Sequence, residues 1–163
     1  MQLSNADFQY IVHRTPLVAI DLIVHDGAGR MLLGHRRNPP AQGHWFVPGG
    51  RIRKGETLDA AFTRLTADEL GIALDRGEAR FAGVYDHFYE DDFTGATEAG
   101  THYIVLAYLL QLEPDQLSLP PDQHDGYRWA DAASARTNAS IHENSRVYFD
   151  ALDQVRRARD MCD

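Results

Sequence analysis

The sequence predicts an α+β protein or an α/β/α sandwich, with strands before and after one strong helix and a second helix at the end. The first helix is predicted between the N-cap Thr57 and the stop Gly71, because apolar residues repeat there at helical spacing: Leu58, Ala61, Phe62 and Leu65. Residues 17–24 are almost all apolar, as in strands covered on both faces. The 163 residues show no repeat or linker and are interpreted as one domain, 1–163.

The other elements follow from local patterns. Ser4 and Asp7 predict a short helix that Pro16 ends. Gly49 and Gly50 predict a tight turn. A last helix is predicted from Asn144 or Ser145, with a buried stripe of Tyr148, Ala151, Leu152 and Val155. Further strands are predicted at 31–36, 45–47, 81–89, 101–112 and 127–129, a turn at 26–29, and loops at 38–43, 75–78, 90–100 and 117–126, of which 90–100 has a mobile composition.

Charge and composition narrow the function. The net charge of −8 argues against a nucleic-acid partner. Five basic residues nevertheless fall between positions 36 and 54, which suits a small anionic ligand or, alternatively, a solvated strand edge. The single cysteine, Cys162, excludes an internal disulfide. No apolar run reaches the roughly 18 residues of a membrane span, and no leader pattern is present, so a cytoplasmic location away from membranes is expected.

Three acidic residues, one on a strand and two on the helix, indicate a site. Asp21 interrupts an apolar strand, where a carboxylate is costly unless it is paired, so it belongs either to a structural ion pair or to the wall of a pocket. Asp68 and Glu69 lie on the predicted helix that comes after the glycines at 49 and 50. Helical carboxylates beside bare backbone suit Mg²⁺ bound to a phosphate, because Mg²⁺ takes few protein oxygens.

The stretch GGRIRKGETLDAAFTRLTADELGI, residues 49–72, resembles the Nudix box. The matching positions are Gly50, Glu56, Arg64, Glu69, Gly71 and Ile72. Three positions depart from it: Asp68 replaces a glutamate, Thr66 an aliphatic residue, and Leu65 the first helical glutamate. The resemblance implies a Nudix-type α/β/α sandwich with a mixed central sheet, and the leucine implies the loss of one metal ligand.

Within that superfamily the chain is similar to the GDP-mannose mannosyl hydrolases. The similarity covers nearly the whole chain and includes WFVPGGR, DHFYEDDF, THYIVL and DQHDGYRW. It implies that water attacks the anomeric carbon of GDP-mannose, and of GDP-glucose, to give GDP and free sugar. It also implies one Mg²⁺ per subunit, with Mn²⁺ possible in its place, and a homodimer in which residues 90–100 are a dimer element.

The resemblance also implies roles for individual residues. The expected metal ligands are Gly49, Glu69 and Gln123. His124, on a loop beside Asp122 and Asp125 that could orient it, is the expected general base. Arg36 and Arg51 are expected to bind the diphosphate, and Asp21 and Tyr103 to hold the sugar and the leaving diphosphate, with a lesser role for His87. The expected nucleotide contacts are Gln2, Leu3 and Phe8.

Several of these assignments have alternatives. Phe8 is either a guanine contact or a residue of the helix core. Glu56 is interpreted as a partner of Arg64 rather than a ligand, and Trp45 and Phe46 as core. Two other functions stay open: a pyrophosphatase whose metal site is repaired by Asp68 and an acid of 90–92, giving GMP and a sugar phosphate, and a non-catalytic sensor of nucleotide sugars.

Overall fold

The computed structural model describes residues 3–121 and 124–160, so Gln2 and Gln123 lie outside the described residues. Its centre is a mixed seven-stranded sheet of order β3-β2-β1-β6-β5, in which β4 also pairs with β1 and β7 with β2. β1 and β6 pair in parallel, and the other described pairs are antiparallel. The strands are β1 Leu17–His25, β2 Met31–Arg36, β3 Trp45–Phe46, β4 Gly49–Arg51, β5 Arg80–Tyr89, β6 Thr101–Gln111 and β7 His124–Ala130.

Helices cover both faces of this sheet. Period-two alternation along β1 sends Ile20 and Leu22 into a core under α2 and Ile23 into a second core under α5. This arrangement confirms the predicted sandwich. No helix in the described ranges is both long and apolar enough to span a bilayer. The helices are α1 Asn5–Val12, α2 Leu58–Leu70, α3 Ala132–Ala135, α4 Glu143–Arg146 and α5 Tyr148–Asp160, with 3-10 turns at Arg76–Glu78 and Pro114–Gln116.

The ends of α2 follow the sequence prediction. The Thr57 side chain accepts a hydrogen bond from the Ala60 backbone N–H, and Gly71 ends the helix with φ +72°. The predicted apolar face is buried except at its first residue, because Leu58 is 39% exposed on the first turn.

The predicted glycine turn is wrong. Gly49 and Gly50 lie in β4, opposite Asp21 and Ile20 of β1. Glycine is required by close approach: a Cβ atom at position 49 would lie 2.4 Å from the Ile20 carbonyl oxygen, and one at position 50 would lie 2.7 Å from Leu65 Cδ2. The missing side chains therefore allow β4 to approach β1 at Gly49 and helix α2 at Gly50.

Two predicted boundaries in the C-terminal part also differ. The loop assigned to 117–126 ends early, because β7 begins at His124 and pairs with Arg36 of β2. The last helical segment is two helices, and the first of them is capped by His142, whose ring accepts from the Asn144 backbone N–H. Ser145 is buried inside α4, where its hydroxyl accepts from the Val47 N–H at 3.1 Å.

The segment 90–100 is held in place by one buried acid. Asp92 is fully buried and accepts hydrogen bonds from Gln9 at 3.0 Å, from the Thr94 backbone and from its hydroxyl, and it pairs with His13 at 2.8 Å. The loop predicted for this segment is confirmed, and these hydrogen bonds tie it to α1 of its own chain, whereas its mobility stays a prediction. Its role as a dimer element stays a prediction.

We expect Asp92→Asn to lower the free energy of unfolding at pH 7 by about 1.5–3 kcal/mol, the usual contribution of hydrogen bonds to a charged group. Burial raises the pKa of Asp92, but hydrogen bonds from Thr94, Gln9 and His13 outweigh it, so the net pKa is well below its usual range. Because the folded pKa is depressed, this stabilisation is present above about pH 4 and is lost as the pH falls further.

Denaturant titrations at pH 7 and at low pH measure this difference. The exposed Glu98 of the same segment provides the control, Glu98→Gln, which should unfold like the wild type. Equal stabilities of Asp92→Asn and wild type at pH 7 would contradict the assignment.

Candidate active site

A cleft of about 210 Å³ opens where β1, β4, β5 and β6 meet the start of β7 and the C-terminal half of α2. Eight of the residues expected from the sequence line it: Asp21, Arg36, Gly49, Arg51, Glu69, His87, Tyr103 and His124. The fold therefore brings together residues that lie on seven different elements, since Arg36 ends β2. Leu3 is exposed and Phe8 half-buried, and neither lines the cleft.

The carboxylates near α2 have different environments. Glu56 accepts two hydrogen bonds from Arg64, at 2.6 and 2.9 Å, which together lower its pKa to about 2 despite partial burial. Asp68 is half exposed and lies 3.5 Å from the same guanidinium. Glu69 is 7% exposed, lines the cleft, and has His124 as its nearest ionisable partner. Glu56 and Asp68 thus pair with Arg64, and Glu69 does not. The pairing of Glu56 with Arg64 agrees with the interpretation from the sequence.

A buried leucine occupies the position that the Nudix box gives to its first helical glutamate. Leu65 is 3% exposed, belongs to the core under α2, and faces the backbone of Gly50. No cluster of three or more His, Cys, Asp or Glu side chains within residues 3–121 and 124–160 is suited to a metal ion. Of the helical carboxylates, Glu69 is thus the one that the cleft offers to a cation, where the box has more.

The Gly49 carbonyl is the second available oxygen. The Leu22 N–H bonds to the Pro48 carbonyl at 2.8 Å and the Ile52 N–H to that of Val18 at 2.9 Å, so hydrogen-bonded pairs flank the Gly49 position. In an antiparallel ladder the intervening residue directs its carbonyl away from the partner strand. One carboxylate and one carbonyl suit a single Mg²⁺ that retains water and phosphate oxygens, so these residues fit the expected cation.

His124 begins β7 and faces α2. Its Nε2 atom lies 3.6 Å from Glu69 Oε2, and its side chain is 10% exposed. Its Nδ1 atom is buried and has no hydrogen-bond partner among the described residues, so the ring reaches the cleft through Nε2. Asp125 faces the other side of the strand and pairs with Arg37, so the prediction that it orients His124 is wrong: adjacent strand residues point to opposite faces.

The His124 imidazole packs against the backbone of Gly34 in β2. A Cβ atom at that position would lie 2.6 Å from His124 Cγ and Nδ1, too close for the ring to stay where it is. With His124 as the expected general base, Gly34→Ala should lower kcat about 10-fold, because a misplacement of about 1 Å can cost up to about 100-fold. Steady-state kinetics measure this, with Gly77→Ala as the control because nothing lies within 4 Å of its added Cβ. Unchanged kcat in Gly34→Ala would argue against a catalytic role for the ring.

A buried tyrosine, Tyr148, contacts two lining residues of the cleft from behind the lining. The Tyr148 hydroxyl donates to Asp21 Oδ2 at 2.7 Å and lies 3.3 Å from His87 Nε2. Burial raises the pKa of Asp21 to about 6, although the Tyr148 hydrogen bond and the Arg36 charge oppose this. Burial and His142 lower the pKa of His87 to about 4, and burial with the Asp21 charge raises the pKa of Tyr148. Asp21 is thus part of the pocket wall, and its direct partner is a phenol.

Two arginines face the cleft on aromatic supports. The Arg51 guanidinium carbon lies 3.9 Å above the Phe8 ring, which itself contacts Phe93 at 4.8 Å. The Arg36 guanidinium carbon lies 5.1 Å from the Phe46 ring centre. Phe8 is therefore positioned to support Arg51, and Phe46, interpreted from sequence as core only, is both buried and part of the lining.

Sequence reasoning missed Tyr148, which it placed in a buried helical stripe. Tyr148 is indeed fully buried, but a buried phenol requires a hydrogen-bond partner, and so does a carboxylate in an apolar strand. Those two unmet requirements, at Asp21 and Tyr148, were the available signal. The lining residues that were also missed are Ala19, Asn38, Pro39, Val47, Gly50, Tyr89 and Val105.

Comparison with known proteins gives a consistent result. Residues 15–152 match the family described as NUDIX domain. The chain is 34% identical over 152 residues to the low-salt glycan biosynthesis protein Agl8 of Haloferax volcanii, covering 93% of this chain and 92% of that protein. The crystal structure of a MutT NUDIX hydrolase from Burkholderia pseudomallei superposes with a TM-score of 0.66 and 28% identity, covering 87% of this chain and 99% of the other. The MutT protein of Methanosarcina mazei, 18% identical with a TM-score of 0.67 over 88% and 97% of the two chains, shares the fold. This chain therefore belongs to the Nudix family.

Proposed function

We propose that this Nudix protein hydrolyses GDP-mannose, and GDP-glucose, to GDP and the free hexose by attack of water on the anomeric carbon. The observation that carries the proposal is the burial of Leu65 against Gly50, which leaves Glu69 as the one helical carboxylate of the cleft that Arg64 does not hold. The relative named for glycan biosynthesis supports a sugar-linked substrate.

The number of carboxylates bears on which bond breaks. Attack on phosphorus in a diphosphate is assisted by metal ions that hold both the attacking and the leaving oxygen. One carboxylate and one carbonyl are too few for such a cluster, whereas they suit a single ion beside a departing diphosphate. Mg²⁺ held by Glu69 and Gly49, with Gln123 expected as the third ligand, would supply charge neutralisation on the leaving GDP.

The chain's own groups account for the remaining chemistry. His124 Nε2 accepts the proton of the attacking water, whose oxygen bonds to the anomeric carbon. The bond between that carbon and the glycosidic oxygen breaks, and its electron pair goes to the diphosphate. Arg36 and Arg51 stabilise this charge by charge-assisted hydrogen bonds, with Tyr103 beside them in the lining. Asp21 and His87 bind the hexose.

The pyrophosphatase alternative lacks its extra ligands. Asp92 is buried among hydrogen bonds to Gln9, His13 and Thr94, and the Asp91 carboxylate accepts the Ala41 backbone N–H at 3.0 Å. These two acids are engaged elsewhere, and Glu90, the third acid of this alternative, is exposed and does not line the cleft. We therefore favour cleavage at carbon over cleavage at phosphorus.

Hydrolysis in H₂¹⁸O with Mg²⁺ tests the proposal directly. We expect GDP and a free hexose as products, with the label in the hexose. Label in a phosphoryl group, together with GMP and a sugar phosphate, would establish the pyrophosphatase instead. Tight binding of GDP-mannose without turnover would establish a non-catalytic sensor.

A further inference from the structure

Tyr148 lies at the start of α5 and is completely buried between β1 and β5. Its ring packs edge-on against Tyr85 at 5.0 Å, and its hydroxyl meets two polar groups, Asp21 and His87. Neither the proposed metal site nor the proposed base involves this residue. Packing alone would be satisfied by phenylalanine, so the hydroxyl requires its own explanation.

The hydrogen-bonding capacity of the three groups fixes where the protons lie. An ionised Asp21 carboxylate can only accept, so the single hydroxyl proton of Tyr148 goes to Asp21 Oδ2, at 2.7 Å. The phenol oxygen then has only lone pairs to offer, so His87 must donate from Nε2 across 3.3 Å. Neutral histidine has one N–H, which leaves His87 Nδ1 as a bare acceptor.

That arrangement places two acceptors side by side. His87 Nδ1 lies 3.8 Å from Asp21 Oδ2, beyond hydrogen-bond distance, and both residues line the cleft. Two acceptors with no proton between them are matched by a ligand that donates, such as a hydroxyl group. A cation is already supplied to this end of the cleft by Arg36, whose charge acts on Asp21.

We propose that Tyr148 is a positioning residue of the active site: its hydroxyl fixes the Asp21 carboxylate and holds His87 as the Nε2–H tautomer, so that both present acceptors to a hexose hydroxyl. The identity of the ligand rests on the proposed function, whereas the tautomer rests on the geometry alone. Substitution of the hydroxyl should therefore change His87 even without substrate.

Nitrogen-15 NMR of the histidine side chains at pH 8 measures the tautomer in the ligand-free protein. We expect wild-type His87 to be neutral with its proton on Nε2. In Tyr148→Phe the acceptor of that proton is gone, and we expect the proton to move to Nδ1, towards Asp21. The matched control is Tyr85→Phe, which alters the neighbouring phenol outside the cleft lining and should leave His87 unchanged.

Kinetics provide the second measurement. We expect kcat/KM for GDP-mannose to fall about 10- to 100-fold in Tyr148→Phe, the effect of losing a hydrogen bond to a charged group, and to stay near wild type in Tyr85→Phe. A wild-type His87 protonated on Nδ1, a tautomer unchanged in Tyr148→Phe, or an unchanged kcat/KM would each overturn the inference. The wild-type spectrum decides even if Tyr148→Phe does not fold.

Failure of this inference is distinguishable from failure of the proposed function. If isotope labelling showed cleavage at phosphorus while His87 behaved as expected, the positioning role would stand and the reaction would be wrong. If labelling showed cleavage at carbon while His87 carried its proton on Nδ1, the reaction would stand and the role of Tyr148 would be wrong.

Discussion

His124→Gln should lower kcat for GDP-mannose by about 10²- to 10⁴-fold, the usual loss when a general base is removed. Glutamine keeps a polar side chain of similar reach but cannot accept the proton of water at neutral pH. The side chain sits over Gly34 with Nε2 3.6 Å from Glu69, so the substitution changes the chemistry of a group already held in the cleft.

The matched control for this prediction is His35→Gln. His35 lies on β2, donates from Nε2 to the Gly43 carbonyl across 2.9 Å, and is not part of the cleft lining. We expect its kcat to stay within about twofold of wild type, as for a surface substitution with little energetic effect. If both variants kept wild-type activity, the base would have to be sought elsewhere in the lining.

Glu69→Gln should lower activity by about 10²- to 10³-fold at a fixed Mg²⁺ concentration, because a bound metal contributes several kcal/mol of charge stabilisation. The amide keeps the shape of the side chain and removes its charge. We also expect the Mg²⁺ concentration for half-maximal activity to rise, and isothermal titration with Mg²⁺ and GDP to show weaker binding of the metal.

Asp68→Asn is the control for Glu69→Gln. Asp68 is one position away on α2, but it is half exposed and pairs with Arg64, so its charge is turned away from the cleft. Its Mg²⁺ dependence should match the wild type. An equal loss in both variants would mean that the two acids share the metal, and the single-carboxylate site would be incorrect.

Local patterns predicted those parts of the fold that depend on local physics. The caps Thr57 and Gly71 satisfy groups within one turn of α2, and the apolar run of β1 demands cover on both sheet faces whatever the connectivity. Gly49 and Gly50 were misread because their need for a missing side chain arises from Ile20 and Leu65, which are distant in sequence. A tight turn and a close approach of two elements both favour glycine, so the sequence alone does not distinguish them.

The candidate site shows the same division. Glu69, His124 and the two arginines were found through the motif, and the fold brings them to one cleft. The contacts of the Tyr148 hydroxyl with Asp21 and His87 join α5, β1 and β5, and no periodicity in the sequence predicts them. The support of Arg51 by Phe8 likewise arises from packing of α1 beside β4.

The contact between Leu65 and Gly50 determines what a glutamate at position 65 would cost. A glutamate at position 65 would bury a carboxylate where only 3% of Leu65 reaches solvent, and the adjacent Arg64 already pairs with Glu56 and Asp68. Such a charge is destabilising until a second cation arrives with it. A multi-metal site in this cleft would thus require two simultaneous changes: an acid at position 65 and a second cation that neutralises it.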